Sequence, residues 1–180
     1  MAAMNRAQLV LARFDDAEYR LCCGLNRAAR WHGTRCVLRL ASRLGDGPLW
    51  YTLLLLLPLL YGTAAIRVVL IMTATGLAGH LVYGRLKSSL VRERPFIRHP
   101  AISLQMPPLD RYSFPSGHTL HAVSFTWQAV AHFPALSWLL VPAASLIALS
   151  RVVLGLHYPT DVLAGAAIGA LLAAAGLALA

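Results

Sequence analysis

Charge is scarce in this chain. Of its 180 residues, 13% are Asp, Glu, Lys or Arg and 58% are apolar, a mix far from that of ordinary water-soluble domains. Acid is scarcer still: 7 carboxylates stand against 16 basic side chains, and Lys87 is the single lysine among arginines. Cysteine is confined to Cys22, Cys23 and Cys36, with no CxxC pairing, which argues against a zinc ribbon or a disulfide framework and for free thiols. A secretory leader is not expected, because Arg13, Asp15, Asp16 and Glu18 interrupt any apolar run almost at once.

Long apolar sequence is what the chain has in abundance. Residues 47–66, 68–84, 112–150 and 162–180 contain no Asp, Glu, Lys or Arg. A helix needs about 20 apolar residues to cross hydrocarbon, where every backbone polar group must be paired within its own segment. The expected fold is therefore all-α: a polytopic membrane helix bundle with about five transmembrane helices, preceded by amphipathic interfacial helices. The spans are expected near 48–61, 65–86, 116–133, 135–153 and 160–180. Turns at Gly62-Thr63, Phe133-Pro134 and Tyr158-Pro159-Thr160 separate them, with Thr160 or Asp161 capping the last. Gly165 and Gly169 suit close helix packing.

Before residue 45 the pattern changes. Arg6, Arg13, Arg20 and Arg27 recur every seventh residue, while Val10, Phe14, Ala17, Leu21, Leu25 and Ala28 recur at spacings of three and four. Arg35, Arg39 and Arg43 mark a second basic face, and Leu44-Gly45-Asp46-Gly47-Pro48 reads as a turn. Residues 1–44 thus form an amphipathic membrane-surface segment, and residues 45–180 the membrane-embedded domain. The net charge of +9, in so apolar a chain, points to membrane lipids and a phosphate-bearing substrate as partners rather than nucleic acid.

Three polar clusters interrupt the apolar sequence: Lys87 and Arg94 after the second span, Ser116-Gly117-His118 opening the third, and Arg151 to Asp161 between the fourth and fifth. Counting crossings puts all three on one membrane face. Lys87, Arg94 and Arg151 are cations suited to phosphate oxygens, and Ser116 and Gly117 at a helix start offer free N–H groups. His157 and Asp161 are four residues apart, so on a helical turn the carboxylate reaches one ring nitrogen and leaves the other free as nucleophile or base. His121, one turn past His118, is a secondary candidate for the pocket wall; His32, His80, His99 and His132 read as interfacial anchors.

The segments Lys87-x6-Arg94-Pro95, Pro115-Ser116-Gly117-His118 and Ser150-Arg151-x5-His157-x3-Asp161 resemble the three-part signature of the phosphatidic acid phosphatase type 2 superfamily, with every position filled. The resemblance spans roughly residues 45–180. It implies a metal-independent lipid phosphate phosphatase in which His157 forms a phosphohistidine, Asp161 orients it, and His118 serves as general acid and then base. Lys87, Arg94, Ser116, Gly117 and Arg151 would hold the phosphoryl oxygens. No cofactor and no metal site are implied. The lipid could be phosphatidic acid, phosphatidylglycerophosphate or a polyprenyl phosphate or diphosphate. Rival readings are a lipid phosphotransferase using the same intermediate, a vanadate-dependent haloperoxidase, and a non-enzymatic lipid-binding or transport bundle. The expected location is a bacterial inner (cell) membrane. With five spans, only Arg67 among the basic residues lies opposite the motifs, and discounting the three cradle cations still leaves twelve against one, so the site is expected on the cytoplasmic face.

Overall fold

The computed structural model describes the backbone of residues 6–179 and, in the first helix, side chains from Asp15 onward. The arginine and apolar stripes expected at Arg6, Val10, Arg13 and Phe14 lie outside those described side chains. The elements are α1 (Arg6–Ala28), α2 (His32–Gly45), α3 (Pro48–Tyr61), α4 (Ala64–Ser89), the single turn α5 (Pro95–Arg98), α6 (Gly117–His132), a 3-10 turn (Pro134–Leu136), α7 (Ser137–Val153) and α8 (Pro159–Leu177). Among the described residues the only extended pairing is an isolated bridge between Glu93 and Tyr112.

Five helices stand where five crossings were expected. By length and composition, three spans qualify alone: α4, the segment Pro134–Val153, and α8. α2 and α3 make a fourth if the pair, bent by 57° at its break, is one span. α3 and α6 have 14 and 16 residues, hence lengths of about 21 and 24 Å, short of a hydrocarbon core about 30 Å thick. The exterior is apolar: Leu55, Leu59, Leu70, Leu77, Trp138, Leu139, Leu163 and Leu171 are all exposed, which suits helices facing lipid rather than water.

α6 sits at the centre, packed most extensively on α8 and also on α7 and α4. The α6–α8 contact depends on absent side chains. A Cβ on Gly165 or Gly169 would run into the backbone carbonyls of Ser116 and Leu120, so small residues on α8 let the two helices approach to backbone contact. Trp50, Leu57, Met72, Phe125, Leu140 and Ile147 fill the core that α3, α4, α6 and α7 share. α2 turns Leu38, Ala41, Ser42 and Gly45 inward against the bundle and leaves Val37, Leu40 and Leu44 exposed. Capping of α8 differs in detail from expectation. Asp161 lies inside the first turn and accepts the Tyr158 N–H at 2.9 Å, whereas Thr160 donates its N–H to Glu18 of α1 at 2.9 Å.

Candidate active site

Four helix ends converge at one end of the bundle: the last turn of α4, the first of α6, the last of α7 and the first of α8. A hydrogen bond from the Ser116 N–H to the Asp161 carbonyl, 3.0 Å, joins the α6 and α8 starts. Between α7 and α8 the chain reverses within residues 154–158, which requires a left-handed residue. Gly155 supplies it at φ +78°, with its Cα so close to Ser103 that a Cβ would lie 2.9 Å from that carbonyl oxygen. The turn is closed by the Leu156 and His157 N–H groups, both donating to the Arg151 carbonyl at 3.1 and 2.9 Å. His157 is thereby fixed beside the cation that precedes it by six residues.

All eight residues singled out by sequence meet here, and most are buried: Lys87 9%, Arg94 1%, Ser116 0%, Arg151 2%, His157 2% and Asp161 0% exposed. Arg94 donates through Nη1 to the Leu156 carbonyl at 2.7 Å, and the same atom lies 3.2 Å from His157 Nε2. His157 Nδ1 lies 3.6 Å from Asp161 Oδ2, an ion-pair distance beyond hydrogen-bond reach. Among the described residues neither Nδ1 of His157 nor Nε of Arg151 has a hydrogen-bond partner. Arg151 Nη1 donates to Ser42 Oγ of α2. At the start of α6, the Gly117 and His118 N–H groups precede the first helical bond, Leu120 N–H to Ser116 O. Gly117 leaves room for the Tyr83 ring, which a Cβ would meet at 2.8 Å.

Burial pushes the pKa of His157 well below the usual histidine value, and the neighbouring Arg151, Arg94 and Lys87 charges push it the same way. The imidazole is therefore held toward its neutral form, with Nε2 as the acceptor that faces Arg94. Asp161 is shared: Arg92 Nη1 donates to its Oδ1 at 2.6 Å, while Arg92 Nη2 reaches Glu18 Oε2 at 2.6 Å. Arg92 also stacks on Tyr158, its guanidinium 4.0 Å from the ring centre.

The sequence reading missed the partners. Asp110, in the loop before α6, accepts from Tyr83 Oη at 2.5 Å, Lys87 Nζ at 2.6 Å and Arg94 Nη2 at 2.7 Å. Burial raises the Asp110 pKa, but those hydrogen bonds prevail and hold it at about 2. Asp46, from the α2–α3 corner, meets His118 Nε2. Glu18, Asp46, Asp110 and Asp161 are four of only 7 carboxylates in the chain. That rarity was the available signal, since acids this few beside so many buried cations are where counter-charge must come from. A cavity of about 450 Å³ is lined by Asp46, Gly117, His118, His80, His121 and Tyr83 together with the apolar Trp50, Leu54, Leu77 and Phe125. His121 lines it as expected of a secondary candidate, and His80, read as an anchor, lines it too.

An all-helical bundle with an apolar exterior, and at one end a buried histidine among three cations, defines a membrane-embedded protein built to handle an anionic group. The chain belongs to the PAP2 superfamily, whose family model matches residues 64–180. Among curated proteins it is 36% identical over 103 residues to the decaprenylphosphoryl-5-phosphoribose phosphatase of Mycobacterium tuberculosis, covering 56% of this chain and 55% of that one. It is 34% identical over 114 residues to the undecaprenyl-diphosphatase BcrC of Bacillus subtilis, covering 63% and 58%. The chain thus spans little more than half the length of these relatives. Among solved structures, Aquifex aeolicus LpxE superposes with a TM-score of 0.75 at 26% identity, over 88% of this chain and 93% of that one. A phosphatidylglycerolphosphate phosphatase from Bacillus subtilis gives 0.68 at 25% identity, over 93% and 86%.

Proposed function

We propose that this protein is an integral membrane phosphatase that hydrolyses the phosphomonoester or diphosphate of a lipid through a phosphohistidine on His157. The observation that carries this reading is the 2% exposed imidazole, its Nε2 3.2 Å from Arg94 and its Nδ1 facing Asp161. Nε2 attacks phosphorus, a P–N bond forms and the P–O bond to the lipid breaks. His118 gives a proton to the departing oxygen. Asp161 offsets the positive charge that develops on the ring. Water then attacks the phosphohistidine, His118 takes back a proton, and inorganic phosphate leaves. Lys87, Arg94, Arg151 and the N–H groups at Ser116-Gly117 stabilise the transferring group.

The cavity supports a lipid substrate. Its lining joins Asp46 and His118 to Leu54, Leu77 and Phe125, which suits a head group at the interface whose tail stays among the helices. The curated relatives act on polyprenyl phosphate compounds by name, which favours a polyprenyl phosphate or diphosphate over phosphatidic acid or phosphatidylglycerophosphate. A five-span topology with the site on the cytoplasmic face completes the reading. Transfer of the phosphoryl group to a second lipid shares the first half-reaction and is separated by its product. The test is inorganic phosphate release by the purified protein from a panel of these lipids, with and without EDTA and vanadate. Release that persists in EDTA and is inhibited by vanadate is expected; activity lost in EDTA and restored by magnesium overturns the metal-independent mechanism.

A further inference from the structure

The corner between α2 and α3 reads in the sequence as punctuation, yet in the fold it is part of the site. Gly45 packs so closely on α7 that a Cβ there would lie 2.9 Å from Ile147, and its carbonyl accepts the Trp50 indole N–H at 3.3 Å. Gly47 turns the chain at φ +141°, a conformation open to glycine. The residue held between them is Asp46, and its Oδ1 meets His118 Nε2. The corner precedes residue 64, where the family match begins.

We propose that Asp46 is a positioning residue for His118. The proposal rests on the assignment of His118 as the proton donor in the reaction above. A carboxylate on Nε2 fixes that nitrogen as the one bearing hydrogen, aims the ring, and stabilises the imidazolium from which the leaving oxygen takes its proton. Nδ1 is then the atom that gives the proton to the departing lipid oxygen and recovers one from the attacking water, while the Nε2 proton stays in place. Two observations set Asp46 apart from a surface carboxylate in a chance pairing. Both members of the pair line the cavity, as do Leu54, Leu77 and Phe125, so the leaving oxygen of a lipid with its tail against those residues would lie within the same space. The His118 side chain is also only 10% exposed, against 26% for Asp46, and the glycines on either side of Asp46 pack on Ile147 and Tyr51, which sets the path of the corner that presents it.

The test compares two substrates that share an alkyl tail: an alkyl phosphate, whose alkoxide must be protonated to leave, and a nitroaryl phosphate, whose phenolate leaves without a proton. The parameter is kcat/KM, which reports only steps through departure of the alcohol. Asp46→Asn is expected to lose about tenfold or more on the alkyl phosphate and less than about threefold on the aryl phosphate, as befits a group acting through an acid that supplies about 10²-fold or more. Asp46→Glu should recover part of the loss. The aryl activity reports the folded fraction, so a merely structural role lowers both substrates equally and overturns the proposal, as does no loss on either. His118→Ala in the same assay separates the two levels. If it fails to discriminate between leaving groups, the acid assignment falls and Asp46 with it; if it discriminates and Asp46→Asn does not, the role of Asp46 alone is overturned.

Discussion

Removing the His157 imidazole leaves a cradle that holds phosphate but has no atom to open the P–O bond. His157→Ala is expected to release no phosphate from any lipid tested, and more than a few per cent of the original rate would reject the nucleophile. Asp161→Asn keeps an acceptor for the Tyr158 N–H and loses the charge, so it should be slow rather than dead. The neutral state of His157 has its own signature in stability. Its folded pKa is depressed, so as pH falls below about 6.5 the unfolded chain takes up a proton that the folded chain refuses, and stability declines with acid. Exchanging His157 for Gln should flatten the drop in unfolding temperature between about pH 7 and pH 5; an unchanged slope would show that burial does not suppress its charge. Asp110 has a pH slope of the same sign at lower pH. Its folded pKa is depressed to about 2, so its pairing is present above the ordinary carboxylate value and is lost only as pH falls through about 2. At assay pH it is a fixed negative charge on two cradle cations, and a phosphate must approach against it. Asp110→Asn keeps an acceptor and removes that repulsion, so vanadate inhibition should tighten by roughly tenfold; weaker inhibition would make Asp110 a support for Lys87 and Arg94 instead of a competitor. The eight motif residues were legible because their chemistry and spacing lie within three short stretches. Their partners were not: Glu18 meets Thr160 across 142 residues and Ser42 meets Arg151 across 109, pairings that only the folded path of the chain defines.

Helices were easier to read than crossings. Gly62, Phe133 and the pair Asp46-Gly47 fall between elements, Gly45 ends α2 and Pro134 opens the 3-10 turn, whereas Pro58 and Pro142 stand inside α3 and α7, so Gly and Pro mark most but not all of the helix ends. What apolar runs do not encode is how far each helix passes through lipid, and α3 and α6 are short enough for that question to stay with packing. α6 is placed by α8. Gly165 and Gly169 were read as packing residues, and the structure gives the reason in backbone terms, for the Ser116 and Leu120 carbonyls occupy the space a side chain would take. Gly169→Val should therefore push α8 away from α6, separating Asp161 from Ser116-Gly117-His118 at a cost of about 1–3 kcal/mol or more. A lowered unfolding temperature with loss of phosphate release is expected. Gly84→Ala is the control, because nothing stands within 4 Å of its added Cβ and alanine favours a helix. If Gly169→Val were as stable and active as that control, backbone contact between α6 and α8 would not be what assembles the site.

At the scale of the whole molecule, the basic residues divide unevenly along the bundle axis. The end that holds the site has Lys87, Arg92, Arg94 and Arg151 and, through the contacts of Glu18, Asn26 and Ser42, the described part of α1 from Asp15 onward and α2 with their arginines, while Arg67, near the start of α4, donates to the Leu179 carbonyl at 3.1 Å at the opposite end. α1 belongs to the site end by direct contact as well as by charge. Glu18 accepts from Arg92 and Thr160, and Asn26 donates to the Val153 carbonyl at 2.9 Å and the Ser103 carbonyl at 3.0 Å. On the orientation proposed above, this basic helix, tied to the loops of the site, would hold that end of the protein at an anionic leaflet, and the attraction of such a surface for each arginine argues for the cytoplasmic side. The cradle cations carry no weight in that argument, because they are held inward by their own partners; it rests on the exposed arginines Arg20, Arg27, Arg30 and Arg43. The prediction is read at the far end of α8, past Leu177, which the fold carries away from the site. Alkaline phosphatase fused after Ala180 should be active and a fluorescent protein there dark, as the cytoplasmic orientation of the site requires. Bright cytoplasmic fluorescence with an inactive phosphatase fusion would turn the molecule over and set His157 facing outward, while leaving its chemistry unchanged.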